Sequence, residues 1–275
     1  GRRRQRQMCI RDRNLKRASD KISNYSDIEP DTNKKLNPEL EKLDFCHLHT
    51  FSQFSILQST VRINELTQLA NELEMPAVCI TDYNNLMGSF HFLKSIENIN
   101  KKNKSENKKT LKPIIGITLN VCEDHLDRSR RDDGYQIVFI AKNKKGYKNL
   151  SKLSSLAYTK GFYYVPRVDK NLVLNFKEDL IVLTGNTYGE VSSKLLNIGE
   201  KQAEESLLWW NKHFKDDLYI EIMRHNLEDE NRINPVLIKF SAKHKIKLVA
   251  TNSVFYLTKE QANSHDILLC VKDGL

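Results

Sequence analysis

From residue 44 onward the chain alternates short apolar runs with amphipathic stretches. The runs are FCHLH (45–49), AVCIT (77–81), PIIGITLNV (113–121), QIVFIA (136–141), DLIVLTG (179–185), YIEIM (219–223) and KLVAT (247–251). Runs this short, rich in Ile and Val, predict strands. Between most of them apolar residues recur at helical spacing: Ile63, Leu66, Leu69, Ala70 and Leu73; Leu150, Leu153, Leu156 and Ala157; Ala203, Leu207, Leu208 and Trp210; and, less regularly, Val236, Leu237, Phe240 and Ala242. Each set would form one buried stripe. Strands separated mostly by helices predict an α/β fold, a closed or nearly closed βα barrel, with a doubly wound open sheet as the alternative. The first strand-to-helix connection has no G-x-G-x-x-G, so nothing there supports a dinucleotide site.

Chemistry in such barrels sits at the C-terminal ends of strands. Those ends carry His47, His49 and Thr50; Thr81, Asp82 and Tyr83; Thr118 to Asp124; Thr184, Gly185 and Asn186; Glu221, Arg224 and His225; and Thr251, Asn252, Ser253 and Phe255. The fourth run begins with Tyr135 and Gln136. If residues 45–49 form a strand, His47 and His49 point to the same side, as the opening pair of a metal site would.

The net charge of +9 suggests nucleic acid until it is mapped. Residues 1–13 and 101–112 contribute +5 each, which leaves −1 for everything else. Basic character is therefore local, and the lysine run at 101–112 has no interleaved aromatic residue for base stacking. It reads as a solvated loop. Residues 3–12, RRQRQMCIRD, can be written CGT CGG CAG CGT CAG ATG TGT ATA AGA GAC, which resembles the adapter of transposase-based sequencing libraries. The hypothesis is that residues 1–13 are an adapter artefact rather than a basic arm. Resequencing across the junction tests it, since a native reading frame running into Arg13 would refute it. Residues 14–43, with Pro30 and Pro38, read as a polar linker, and 44–275 as the barrel domain. Five cysteines (Cys9, Cys46, Cys79, Cys122, Cys270) form no CxxC pair, and no run is apolar enough to span a bilayer. Free thiols and a cytoplasmic location follow as expectations.

Several long motifs, in order, carry a resemblance: HLHTFSQFSIL (47–57), MPAVCITDYNNLMGSFHF (75–92), KPIIGITLNVCEDH (112–125), AKNKKGYKNLSKLSS (141–155), GFYYVPRVD (161–169), YIEIMRH (219–225), VATNSVFYL (249–257) and HDILLCVKDG (265–274). They resemble the PHP domain, the polymerase and histidinol phosphatase superfamily, in the form found at the front of bacterial DNA polymerase III alpha subunits. The resemblance implies a distorted (β/α)7 TIM-like barrel, truncated before a polymerase palm that would lie beyond Leu275. Members with an intact site bind up to three divalent metals. Against that pattern His47 and His49 match the opening ligands, and Thr81 and Asp82 are kept. Tyr83, Thr118, Gln136, Asn186, Ser253 and Phe255 replace ligands, and Gln58 stands near a missing aspartate.

A hydrolytic two- or three-metal site needs several anionic or imidazole donors to hold an attacking hydroxide. Thr, Ser and Gln are feeble donors and Phe is none. No catalytic residue is therefore assigned, and His47 and His49 read as remnants hydrogen-bonded in a polar mouth. Asp124, His125 and Asp127 are the candidates for a replacement cluster. Elsewhere Asp266 reads as a helix cap beside His265, and Glu221 with Arg224 as a structural ion pair. Of Trp209 and Trp210, one should be core and one partly exposed. Gly185 and Gly189 lack phosphate-cradling spacing.

Three functions compete: a non-catalytic scaffold within a DNA-directed DNA polymerase (a nucleotidyltransferase of DNA replication), an active metal-dependent phosphoesterase or 3′-5′ exonuclease, and a basic nucleic-acid-binding module. Charge mapping disfavours the third and the missing ligands the second. The first implies no cofactor in this stretch, Mg²⁺ for the parent polymerase, and Zn²⁺ or Mn²⁺ only under the second. Its partners would be the rest of the polymerase chain, a proofreading exonuclease, and DNA through the full-length polymerase.

Overall fold

The computed structural model describes residues 45–274; the basic segment 1–13 and the linker 14–43 lie outside the described residues. Seven strands form one sheet: β1 (Ala77–Ile80), β2 (Lys112–Cys122), β3 (Tyr135–Ala141), β4 (Val168–Asp169), β5 (Leu180–Leu183), β6 (Leu218–Ile222) and β7 (Lys247–Ala250). Their order is β1-β2-β3-β5-β6-β7, with β4 beside the end of β2. The helices are α1 (Ile63–Glu72), α2 (Ser89–Ser105), α3 (Lys144–Thr159), α4 (Lys170–Asn175), α5 (Glu190–Asn197), α6 (Glu200–Phe214), α7 (Glu228–His244) and α8 (Ala262–Asp273).

The run at 45–49 is not a strand, a correction to the expected set. Instead a short segment joins the two sheet edges. Thr81 N donates to Thr50 O (2.7 Å), Val254 N to His49 O (3.1 Å) and Phe51 N to Val254 O (3.0 Å). These bonds tie the ends of β1 and β7 together through residues 49–51 and curl the sheet into a barrel. The other departure is β3, which runs antiparallel to both β2 and β5, whereas β1–β2, β5–β6 and β6–β7 are parallel. A parallel neighbour needs a crossover, usually a helix. The polar connection EDHLDRSRRDDG (123–134) has no apolar stripe to build one, so the chain turns back.

Strand alternation divides the apolar residues between two environments. Ile137 and Phe139 face the helices with Leu150, Leu153, Trp210 and Phe240, while Val138 and Ile140 face the lumen. A further core lies under α1 and α2, where Ile63, Leu66 and Ala70 meet Val78, Ile80, Phe92 and Ile96. Trp210 is the buried tryptophan and donates to Glu190 Oε2 at 2.8 Å; Trp209 is partly exposed, as anticipated. Asn143 starts α3 by accepting from Lys145 N (2.8 Å) and Gly146 N (3.1 Å), a standard amino-terminal cap. Helix α8 starts at Ala262, so Asp266 lies inside it and does not cap it.

Candidate functional site

The lumen becomes polar toward the C-terminal ends of the parallel strands. Along β2 the side opposite the helices reads Ile114, Gly116, Thr118, Asn120; β6 contributes Tyr219 and then Glu221. His49 and Glu221 are both buried, with His49 Nδ1 2.9 Å from Glu221 Oε1. Thr251 Oγ1 donates to the same oxygen at 2.5 Å, and Glu221 N donates to Thr184 Oγ1 at 3.0 Å. The carboxylate thus goes to His49 and Thr251, and Arg224 is exposed, which corrects the expected Glu221–Arg224 pair.

His47 sits in different surroundings. It lines a cleft of about 310 Å³ with Leu66, Leu69, Leu73, His225 and Ser253. Its ring meets Phe45 edge-on at 4.9 Å, and burial lowers its pKa. Residues 45–49 lack regular strand geometry and bend at His49, so no strand sets the two imidazoles on a common face.

The positions around them are held by hydrogen bonds and ring contacts. Tyr83 OH donates to Asn120 Oδ1 (2.7 Å), and Thr118 Oγ1 to Thr81 O (2.9 Å). Asn186 Nδ2 donates to Ser253 Oγ (3.3 Å), Gln136 N to Tyr188 O (3.0 Å), and the Gln58 carbonyl accepts from His265 Nε2 (2.9 Å). Phe255 stacks flat on Phe51 with centroids 4.6 Å apart. Asp82 is buried and accepts from Ser52 N (2.6 Å), Ser52 Oγ (2.7 Å) and Ser55 Oγ (2.8 Å). Burial raises its pKa, and those serines offset this only in part. Gly185, at φ +84°, lets the chain pass Gln136, whose carbonyl a Cβ would meet at 2.2 Å; close backbone approach, not phosphate, explains that glycine.

His47 Nδ1, His49 Nε2 and Glu221 Oε2 are buried without a hydrogen-bond partner. Among the described residues, no group of three His, Cys, Asp or Glu donors within 4.8 Å of one another includes either histidine. Among the described residues the one such gathering is Asp124, His125 and Asp169, on the β2–β3 loop and the end of β4. Asp169 replaces the expected Asp127, whose Oδ1 instead accepts from Ser129 N (2.8 Å). The Asp169 carboxylate bonds His125 Nδ1 and caps α4 by accepting from Leu172 N (2.8 Å). Its burial pushes the pKa up, but the Leu172 and His125 contacts outweigh that and leave it below the usual range. The signal for Asp169 in sequence was its place before KNLVLN, as a helix cap.

Asp169→Ala is expected to cost about 1–2 kcal/mol in chemical denaturation, the worth of a cap. Since the folded pKa is depressed, the stabilisation is present above the ordinary aspartate value. It fades as pH falls through the lower folded value, so wild type and variant should converge in acid.

The PHP domain family model matches residues 46–225. The DNA polymerase III subunit alpha of Borreliella burgdorferi is 33% identical over 234 residues, covering 84% of this chain and 20% of its own length. That of Aquifex aeolicus is 37% identical over 239 residues, covering 83% and 20%. The chain therefore spans about a fifth of the length of these relatives. A putative metal-dependent phosphoesterase from Bifidobacterium adolescentis superposes with a TM-score of 0.47 at 12% identity, over 82% of this chain and 96% of that one.

Proposed function

The chain belongs to the PHP domain family, and from that premise we propose that it is the PHP barrel of a replicative DNA polymerase III alpha subunit, serving as a non-catalytic scaffold. The observation that carries this reading is the donor set of the barrel mouth. Among the described residues, the one carboxylate hydrogen-bonded to either of its two family histidines is Glu221, on His49, and that oxygen is shared with Thr251. Tyr83, Thr118, Gln136, Asn186, Ser253 and Phe255 supply no anionic or imidazole ligand, so the charge of two or three divalent ions would go unneutralised. The neutral hydrogen bonds that replace them suit a rigid support better than a reaction centre.

On this reading the barrel occupies 44–275, residues 14–43 are a linker, and the stretch 1–13 is foreign sequence. The parent protein would be a DNA-directed DNA polymerase of the cytoplasm whose Mg²⁺-dependent chemistry lies in another domain. Its partners would be the rest of that chain, the proofreading exonuclease, and DNA through the whole enzyme. No helix among the described residues is long and apolar enough to cross a membrane.

Elemental analysis of the chain, purified without chelator and offered Zn²⁺ and Mn²⁺, tests the proposal. Less than one tightly held ion per chain, with no hydrolysis of a phosphodiester substrate, is expected. Two or more ions, accompanied by hydrolysis, would restore the phosphoesterase or 3′-5′ exonuclease reading. The group Asp124, His125 and Asp169 would then be the first to replace with alanine.

A further inference from the structure

At the end away from His49 and Glu221 the lumen is apolar. Leu48, Ile114, Ile181, Tyr219 and Val249 pack against its inner core and line a cavity of about 710 Å³. Barrel interiors of this type are ordinarily filled by side chains. Apolar cavities of ~300–1,000 Å³ with few polar groups are the ones that accept small molecules.

The opening has a cause in the strand register. The first half of β2 pairs with β1, and pairing with β3 starts only at Gly116. On the β3 side, Pro113–Ile115 therefore has no neighbour where the chain leaves β3 and enters α3. Pro113 has no N–H to offer an added strand, which disfavours closure by β-pairing with another chain. The lining includes Lys112, Lys142 and Lys144 and no carboxylate. Lys142 is held by Asp217 at 2.9 Å, whereas Lys112 and Lys144 make no ion pair among the described residues.

We propose that this end of the barrel binds a small amphiphile, with an apolar tail in the cavity and a single anionic headgroup on Lys112 and Lys144. The site is separate from the polar mouth and does not depend on the scaffold reading.

Isothermal titration of the full chain with decanoate, and with decanol as its uncharged counterpart, tests this. Saturable binding of one decanoate is expected, with decanol about tenfold weaker for want of a charge-assisted contact. The double variant K112Q/K144Q, altered only at the rim, should lose about tenfold for decanoate and leave decanol unchanged. Ile181→Phe should fill the cavity and abolish both. Absence of saturation, equal affinity for the two ligands, or undiminished decanoate binding by K112Q/K144Q would overturn the assignment. Sedimentation covers the other occupant: a dimer dissolved by Ile181→Phe and indifferent to decanoate would give the cavity to a second copy and also overturn it.

Discussion

Arg167→Ala is expected to lower the stability of the chain by about 3–4 kcal/mol, roughly the loss of several charge-assisted hydrogen bonds in a buried site. The guanidinium is buried and pairs with no carboxylate among the described residues. It spends its donors on backbone carbonyls: Nε to Gly161 O (3.1 Å), one terminal nitrogen to Asp132 O (3.0 Å), and the other to Asp127 O (2.9 Å) and His125 O (3.3 Å). These bonds fasten the helix-free β2–β3 connection to the chain before β4. Removing them leaves the buried Gly161 carbonyl without this donor, frees the part-buried loop carbonyls, and opens a cavity beside Tyr163, whose ring the guanidinium faces at 5.4 Å. Arg167→Lys should recover less than half of the loss, because an ammonium cannot reach all four acceptors with the planar fork. Urea titration followed by circular dichroism is the measurement. An unchanged midpoint in Arg167→Ala would show that the loop is held by something else.

Asp82→Ala is expected to cost about 3 kcal/mol, because three donors, Ser52 N, Ser52 Oγ and Ser55 Oγ, lose their acceptor in a buried turn. The same turn leads into Phe51 and the closure segment, so the variant should also lose near-ultraviolet signal from the Phe51–Phe255 stack. Asp82→Asn keeps an acceptor and should be much milder. Its pH profile separates the two contributions of the wild-type residue. Burial raises the Asp82 pKa, so the folded state binds this proton more tightly than the unfolded chain. The stability it contributes is complete below the ordinary aspartate value and is lost as pH rises through the raised folded value. Wild type should therefore lose ground to Asp82→Asn over that window. Parallel profiles would mean that the carboxyl is not desolvated.

Helices with a full apolar stripe were legible because their signal is local, whereas the expected solvated loop at 101–112 is in part helix, since α2 runs on to Ser105, and ends in β2 at Lys112. Ile63, Leu66 and Ala70 form the inner stripe of α1, and Leu150, Leu153 and Ala157 that of α3, with burial following the 3.6-residue period. The exposed Leu73 and Ala242 lie at helix ends, where the stripe has already turned away from the core. The strands from 77 onward were legible for the same reason, except β4, whose two residues, Val168 and Asp169, are too few to show alternation. The run at 45–49 looked like a strand because Phe45 and Leu48 are strand-like residues. Its backbone instead bends at His49 and bridges Val254 at Thr50, far along the chain.

The candidate site divides in the same way. The residue types at the strand ends are legible without the fold, since the coordinating ability of Thr, Gln or Phe does not depend on it. Which groups meet was another matter. Glu221 reaches His49 across 172 positions, and Asp169 reaches His125 across 44, replacing the nearer Asp127. Neither pairing leaves a periodic trace.

By itself the sequence determined the strands from 77 onward except β4, the helices with a full apolar stripe, and the family. The tertiary structure decided the reversal of β3, the closure through residues 49–51, the meeting of Glu221 with His49, and the apolar cavity beside Pro113–Ile115. The physical reason is common to all four. Periodicity and ligand chemistry belong to single side chains and their near neighbours. Register, closure and cavities depend on hydrogen bonds and packing between segments that meet only when the sheet curls.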